Sequence, residues 1–470
     1  MFRTLALTAG LLTACPAIAD VIHVPGDFTT IQAAIDAAQP GDEIVVASGT
    51  YGETIDLQGK PLILRSSSGA TFTAIDARGA GSVIRGAGDG AFIEGFTITG
   101  GSAVEGGGMF NQGGDPIVRH CIFSGNTAAF GGGVYNREGA DPLIADCLFT
   151  GNVATTGAGG ALHNFQSSPT VRRCTFINNR AHERNGGAAF SFDSDPTFVS
   201  CVFSSNSALL NGGALYFDGG MPSIFSCIFL GNTGDFGGAV YCINSDPLLA
   251  NCAFATNTAN VGAGFFSTGS ISLIVNCAFA ENEAASTGGG LRLVNSITEI
   301  TNCIAWGNEP DQITDFQATT TVSFSDVEGG WDGAGSNNID ADPMFLQPEA
   351  GDLRLMPLSP CVDAGDTSAL PPDEADLDGD GDRREPLPRD LADNARVSGD
   401  AVDMGPYELP QAQCEADFDG SGEVSFGDLL LLLMDWGACE AGECPFDLDG
   451  DGSVGVYELL VILSSWGPCD

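Results

Sequence analysis

Basic residues are scarce in this chain. Its 470 residues include 17 Lys and Arg against 61 Asp and Glu, a formal net charge of −44, and the only lysine is Lys60. Such a polyanion repels nucleic acid and anionic membrane surfaces. It suits a chain kept in solution by repulsion and able to hold divalent cations. Histidine is almost as rare, with four residues. His120, His163 and His182 stand apart with no partner pattern, and a lone His is ordinarily structural. After residue 19 no apolar run is long enough to span a bilayer. Helical repeats are missing too, since they need roughly ten uninterrupted residues at a 3.6 period. Here Gly, Asn and Pro break the chain far more often, and 65 residues are Gly.

In place of these the chain has repetition. Residues 116 to 126 read Pro-Ile-Val-Arg-His-Cys-Ile-Phe-Ser-Gly-Asn, and the pattern returns from residue 142 through to Asn308. Its cysteines are Cys121, Cys147, Cys174, Cys201, Cys227, Cys252, Cys277 and Cys303, spaced 26, 27, 27, 26, 25, 25 and 26. Two residues after each Cys stands Phe, from Phe123 to Phe279, and three residues later Asn; the last copy has Ala305-Trp306 instead of Phe. About halfway between cysteines comes a Gly-Gly pair and an apolar residue, as in Gly132-Gly133-Val134. A fixed period in this range marks a solenoid. Cys-x-Phe alternation fits short strands with both side chains inward, punctuated by Gly and Asp-Pro. The expected fold is all-β: a right-handed parallel β-helix of three-strand coils of about 26 residues, stacked at about 4.8 Å. Cys, Phe and Asn should then form ladders, with each Asn satisfying backbone groups at its turn and bonding its neighbours.

The F-x-x-N and G-G-A-[ILV] pairing resembles the repeat of bacterial polymorphic outer-membrane proteins, within the pectin-lyase-like group. The resemblance covers roughly residues 85 to 310 and implies fold, not chemistry. The chain divides into a leader (1–19), an N-terminal cap (20–60), the β-helix (61–345), a closing segment and linker (346–410) and a tail (411–470). In the leader, Arg3 precedes an apolar stretch, and Ala17-Ile18-Ala19 offers a secretory cleavage site before Asp20. Leu12-Thr13-Ala14-Cys15 is the alternative, a lipid-anchored Cys15, although folding from Val21 leaves almost no tether. In the cap, Ile31, Ala34, Ile35 and Ala38 share one helical face within residues 28–38. Gly49-Thr50-Tyr51-Gly52-Glu53 resembles the first motif of pectinesterases, whose later catalytic motifs are absent, so the likeness is read as structural.

Two further columns follow from the repeat. Phe110, Tyr135, His163, Phe190, Tyr216, Tyr241 and Phe266 align, with Arg292 last, one residue after the column from Met109 to Leu291. Alternation sends the two to opposite faces. The aromatic column should therefore lie outside, as a flat apolar strip roughly 30 Å long that would bind sugar rings, or else as rings stacked for stability alone. The stacked cysteines could reach one another as disulfides, but in-register side chains pointing one way favour buried thiols.

Catalytic constellations are thin. Asp193 and Asp195 flank a turn, and Asp218 falls one coil later. Two carboxylates about 5 Å apart would suit a retaining glycosidase, yet Asp-Pro also recurs as an ordinary turn at Asp115, Asp141, Asp195 and Asp246. The polygalacturonase motifs are missing. A lyase usually needs a Lys or Arg base plus calcium carboxylates on one face; the one Lys lies far from the repeats, and the candidate base is Arg172 or Arg173.

Cation-binding patterns are far clearer. Asp417, Asp419, Ser421, Glu423, Ser425 and Asp428 occupy positions 1, 3, 5, 7, 9 and 12 of a calcium loop with Gly422 at 6. Thirty residues on, Asp447, Asp449, Asp451, Ser453, Gly455 and Glu458 repeat it with Gly452 at 6. Each loop runs into an apolar helix ending in Trp-Gly, and Cys414 and Cys444, like Cys439 and Cys469, repeat at the same interval. The tandem units resemble a dockerin, which implies calcium as cofactor and a cohesin-like partner at the cell surface, although a 30-residue period departs from the usual spacing. Asp376 to Asp382 carries alternate carboxylates that could wrap a third calcium but has no Glu at the twelfth place. The segments Ser359 to Asp366 and Val402 to Glu408 resemble the closing segment of secreted bacterial β-helix proteins. Three functions remain open: a secreted or surface polysaccharide-binding or -degrading β-helix, a non-catalytic adhesin or structural solenoid, and a lyase or hydrolase with its site unplaced.

Overall fold

The computed structural model describes residues 19–409, 416–419, 421, 423–439 and 446–468. Residues 1–18 of the leader, with Cys15, and also Cys414, Gly422, Cys444 and Cys469, lie outside them. One coil contains the strands Ile117–Arg119, Ile122–Ser124, Thr127–Phe130 and Val134–Arg137. In the next coil Ile117 pairs with Leu143, Ile122 with Leu148 and Val134 with Leu162. Three parallel sheets result, of 13, 12 and 11 strands, named one, two and three in the order the chain meets them. A fourth sheet, of five strands from Ser102–Glu105 to Ser207–Ala208, fills the corner between sheets two and three. The reading of three strands per coil misses it, because pairs such as Val153–Ala154 and Arg180–Ala181 carry little β signal.

The corners turn on residues in the left-handed region. Before the ladder cysteines stand His120 (φ 50°), Asp146 (56°), Arg173 (48°) and Ser200 (52°); before the ladder asparagines stand Gly125, Gly151, Asn178 and Ser205. A non-Gly residue there costs about 1–2 kcal/mol. The cost is offset because each corner lets the next strand pair in register. The Asn side chains are fully used. Asn179 Nδ2 donates to Asn206 Oδ1 at 3.0 Å and to Phe149 O at 2.9 Å, and Asn206 Oδ1 also accepts the Asn179 N–H at 3.0 Å. The ladder runs from Asn126 to Asn308 and is closed by Gln312, 2.6 Å from Asn308.

Beside it, Phe123, Phe149, Phe176, Phe203, Phe229, Phe254 and Phe279 stack at 4.5–4.9 Å between centroids, all buried. Each buried ring contributes about 1.5–3 kcal/mol by area, and each stacked pair about 0.5–1.5 kcal/mol more. The ladder cysteines are buried thiols, as are Cys242 and Cys361. The disulfide alternative is thereby overturned: Sγ of one Cys sits 3.4 Å from the N–H of the Cys before it, as Cys147 does to Cys121.

At the start, strand Val21–Val24 joins sheet one, and α1 (Ile31–Ala37) buries Ile31, Ala34 and Ile35. The Glu53 carboxylate accepts the N–H groups of Ile31 and Gln32, both at 2.9 Å, and so caps the N-terminus of α1. Lys60 Nζ donates to Ile35 O at 2.7 Å and Ala38 O at 3.0 Å at the other end. The single lysine thus serves a helix C-terminus, where a cation is favoured.

The closing segment folds back along the coils. Phe345, Leu353, Leu355, Cys361 and Met404 pack on the outward Ala253, Ala255, Ala278 and Ala280 of sheet two. Ala375 and Leu387 pack on Val199, Phe225 and Ala250 of sheet one. Its knot is Arg396, buried, with Nη1 2.8 Å from Glu408 Oε2 and Nη2 donating to Asp403 O and Gly405 O. In the tail, α2 (Phe426–Met434) and α3 (Val456–Ser464) share a separate core of Ala416, Val424, Leu432, Val454, Val461 and Ile462. Among the described residues no helix is long and apolar enough to cross a membrane.

Candidate functional site

The aromatic column forms in the predicted register, from Phe110 beside Tyr135 to Phe266 beside Arg292, on the outer face of sheet three. Its expected exposure does not hold. Centroids lie 4.7–6.1 Å apart, and Tyr135, His163, Tyr216, Tyr241 and Phe266 are at most 9% exposed. Rings at the strand spacing use their faces on each other, so the column offers edges and no flat strip. Phe130 covers His163 edge-on at 5.5 Å, and Phe236 covers Phe266 at 5.7 Å.

A hollow of about 490 Å³ opens over the middle of the column. His163, Phe190 and Tyr216 form its floor; Phe130, Phe165, Phe192 and Asp218 form its sides; Thr156, Ala158, Arg184 and Asn185 form its rim. The rim has a cause in the sequence. The stretches from Asn152 to Gly159 and from Asn179 to Gly186 are each two residues longer than the one from Asn126 to Gly131. The extra chain carries Thr156 and Ala158 in one coil, Arg184 and Asn185 in the next. Phe165 and Phe192 stack at 5.4 Å, two residues beyond the column on the same face. Sequence reasoning missed all of these. Loop length and the repeat of Phe at i+2 were the signals that could have found them.

The imidazole of His163 is held neutral. Burial pulls it down to about 4, and Nδ1 lies 3.0 Å from Ala158 O, where it donates as the neutral tautomer. Nε2 is left as an acceptor toward the hollow. Asp218 lines the hollow, and its carboxyl is pushed up by partial burial and by the charge of Asp193. Asp193 occupies a left-handed corner (φ 45°), and its N–H bonds Asp218 O at 2.9 Å. Asp195 is occupied elsewhere: Oδ1 accepts the Met221 N–H at 2.7 Å. Asp115 and Asp246 do the same for the coils after them, at 2.7 and 2.8 Å. Asp195 is thus a turn residue of the Asp-Pro column, and the structure supplies no catalytic pair through it.

In the tail, ligand atoms of Asp417, Asp419 and Asp428 lie within 4.8 Å of one another, as do those of Asp447, Asp449 and Glu458. These are positions 1, 3 and 12 of both loops. Asp428 and Glu458 are buried at the head of α2 and α3, each bracing its own loop. Asp428 accepts from the N–H of Asp419 at 3.0 Å and of Ser425 at 2.8 Å; Glu458 accepts from Leu448 at 3.2 Å and Gly455 at 2.7 Å. Ser421 binds Asp417 and Asp419 through its N–H, and Asp451 accepts from Ser453. Glu423 and Ser453 begin the two short strands Glu423–Val424 and Ser453–Val454, which pair with Gly467–Pro468 and Gly437–Ala438. Burial, then the charges of Asp451, Glu458 and Asp447, push up the Asp449 carboxyl. Acceptor-only oxygens converging in a turn fit a hard cation of calcium size. Asp417, Asp419 and Asp428 would hold one ion, and Asp447, Asp449 and Glu458 another, each supplying folding energy rather than chemistry.

A family model described as "Right handed beta helix region" matches residues 62–234, which contain the hollow. No curated protein matches the chain. Among solved structures it is similar to pectate lyase Pel9A, at 16% identity over 83% of this chain and 96% of that one, with a TM-score of 0.40. It is similar to XylC in complex with xylose, at 10% identity over 83% and 98%, TM-score 0.46. It is also similar to the alginate lyase AlyGC, at 13% identity and TM-score 0.38, covering 72% of this chain and 55% of that one. Likenesses this distant add nothing to what the coils themselves establish. The β-helix is right-handed, parallel and all-β.

Proposed function

We propose that this chain is a secreted or cell-surface polysaccharide-binding β-helix, attached through a calcium-loaded tail. One observation carries the binding reading: the two rims that are each two residues longer than that of the coil before them raise polar groups around an aromatic-floored hollow. Concave sites with apolar floors and a few convergent polar groups are where ligands bind. Arg184, Asn185, Thr156 and His163 Nε2 would meet hydroxyls, and Phe130 and Phe165, each more than a third exposed, would cover the sugar's apolar face. A net charge of −44 favours a neutral glycan over a polyuronate. A glycan array followed by titration tests this. Arg184→Ala with Phe165→Ala should weaken the best ligand at least tenfold while leaving the thermal midpoint within a few degrees. Failure of every neutral glycan, or equal binding by the double variant, overturns it.

Attachment has its own support. Phe426, Leu433 and Trp436 on one unit, and Val456, Leu463 and Trp466 on the other, are 44–62% exposed and repeat at 30 residues. Apolar side chains duplicated in this way suit an apolar surface on a cohesin-like or other anchoring protein. Export through residues 1–19 belongs to the same reading, and mass spectrometry of secreted protein should give Asp20 as the first residue.

A second reading rests on Asp218. A carboxyl raised by burial inside the hollow has the character of a general acid. Release of reducing ends or unsaturated uronates that Asp218→Asn abolishes would make the chain an enzyme; their absence leaves it a binder.

A further inference from the structure

The closing segment contains a cluster that neither the hollow nor the tail uses. Residues 373 and 385 are brought together by an antiparallel bridge between Pro372 and Pro386, and the Asp373 N–H donates to Glu385 O at 2.8 Å. The loop between them returns Asp378 to the same spot, so that one oxygen each of Asp373, Asp378 and Glu385 lies within 4.8 Å of the others. Asp373 is completely buried. Its Oδ2 accepts the Leu377 N–H at 2.7 Å, but its Oδ1 is buried with no hydrogen-bond partner, and so is Glu385 Oε1. Among the described residues no Lys, Arg or His forms an ion pair with any of the three. Asp378 also belongs to a second trio with Asp376 and Asp380.

A buried, unpaired carboxylate oxygen is expensive, and two such oxygens within one cluster of three carboxylates are more so. The segment is nevertheless held firmly against the coils. Arg172 Nη2 donates to Ala375 O and, at 3.0 Å, to Asp376 O; Asn251 Nδ2 donates to Arg389 O at 2.7 Å. Ala375 and Leu387 are buried on sheet one. A partner for the orphaned oxygens therefore has to be small, positively charged and able to take several hard oxygens. We propose that Asp373, Asp378 and Glu385 bind a divalent cation of calcium size, which clamps the loop 373–385 onto the outer face of sheet one. The Asp376–Asp382 run read from the sequence supplies only Asp378 to this trio. Asp373 and Glu385 flank the run on both sides, which is why no position-twelve Glu was needed.

The test counts calcium per chain in the full-length protein after equilibration with calcium chloride and desalting. Wild type should hold three equivalents, Asp373→Asn two, and a variant with both tail loops disabled (Asp417→Asn with Asp447→Asn) one. Calcium should slow hydrogen exchange over residues 373–388 at least tenfold in the loop-disabled variant, and not once Asp373→Asn is added. Should Asp373→Asn fail to fold, Glu385→Gln with Asp378→Asn carries the same count. Two equivalents in wild type, unchanged by these substitutions, overturn the third site and leave the tail reading standing. One equivalent, lost with Asp373→Asn, supports the third site and overturns the tail. Variants that melt higher than wild type with an unchanged calcium count would mean that a shared proton holds the trio, and that also overturns it.

Discussion

His163 stands in a column otherwise made of Phe and Tyr, and the substitution has a pH signature. Its imidazole titrates near 4 in the folded chain and about 6.5 when unfolded. The unfolded chain therefore takes the proton first. Stability is fully present above about pH 6.5 and is lost as pH falls through about 4, by roughly 3 kcal/mol. His163→Phe should lose about 1 kcal/mol at pH 7.5, with the bond to Ala158, and melt above wild type at pH 4.5; parallel pH profiles would refute this. Asn206 is the stricter case. Asn206→Ala strands the N–H and Nδ2 of Asn179 and the carbonyl of Phe176, so urea denaturation should show a loss of about 3 kcal/mol or more. Both columns were legible in the sequence, because in-register parallel strands put each residue one coil above its equivalent. Exposure was not legible. Tyr216 and Tyr241 at the strand spacing take each other's faces, so replacing Tyr241, which lies outside the hollow, probes the stack rather than a ligand.

The two acidic loops proposed to hold calcium were read from spacing alone, since position twelve must fall on the first turn of a helix and Asp428 and Glu458 do. The second loop has three Asp and a Glu, so Asp449→Ala should remove the tighter of the two tail sites in a calorimetric titration of the full chain and lower the melting of α2 and α3. Equal calcium uptake and melting would sink the assignment. At the other end of the chain, the Gly49 to Glu53 motif is a cap: Glu53→Gln and Lys60→Met should each cost about 0.5–2 kcal/mol by thermal melting, without altering glycan binding. The folded-back closing segment was the element the sequence concealed. Outward alanines such as Ala253 and Ala278 read equally well as small solvent-facing residues, and only Phe345, Leu355 and Met404 reveal that they are covered.

Across the whole molecule each coil touches chiefly the coils above and below, so perturbations should be local. Phe123→Ala and Phe279→Ala, at opposite ends of one stack, should add within about 0.5 kcal/mol in chemical denaturation. Phe203→Ala and Phe229→Ala, whose rings are 4.9 Å apart, should depart from additivity by more than that. The corners also make the coil a unit of length. Every coil closes at the same left-handed positions, so removing the stretch from Ile228 to Ala253 would rejoin Cys227 to Phe254 at equivalent corners only after shifting one residue, whereas a cut from Ala253 to Cys277 rejoins Cys252 to Ala278 in register. Each such excision shortens the column by about 4.8 Å between the hollow and the last coil. The repeat is thus a ruler graduated in single strands, on which the lengthened rims at Thr156 and Arg184 mark one position, and a lineage could slide that mark without touching the hollow itself.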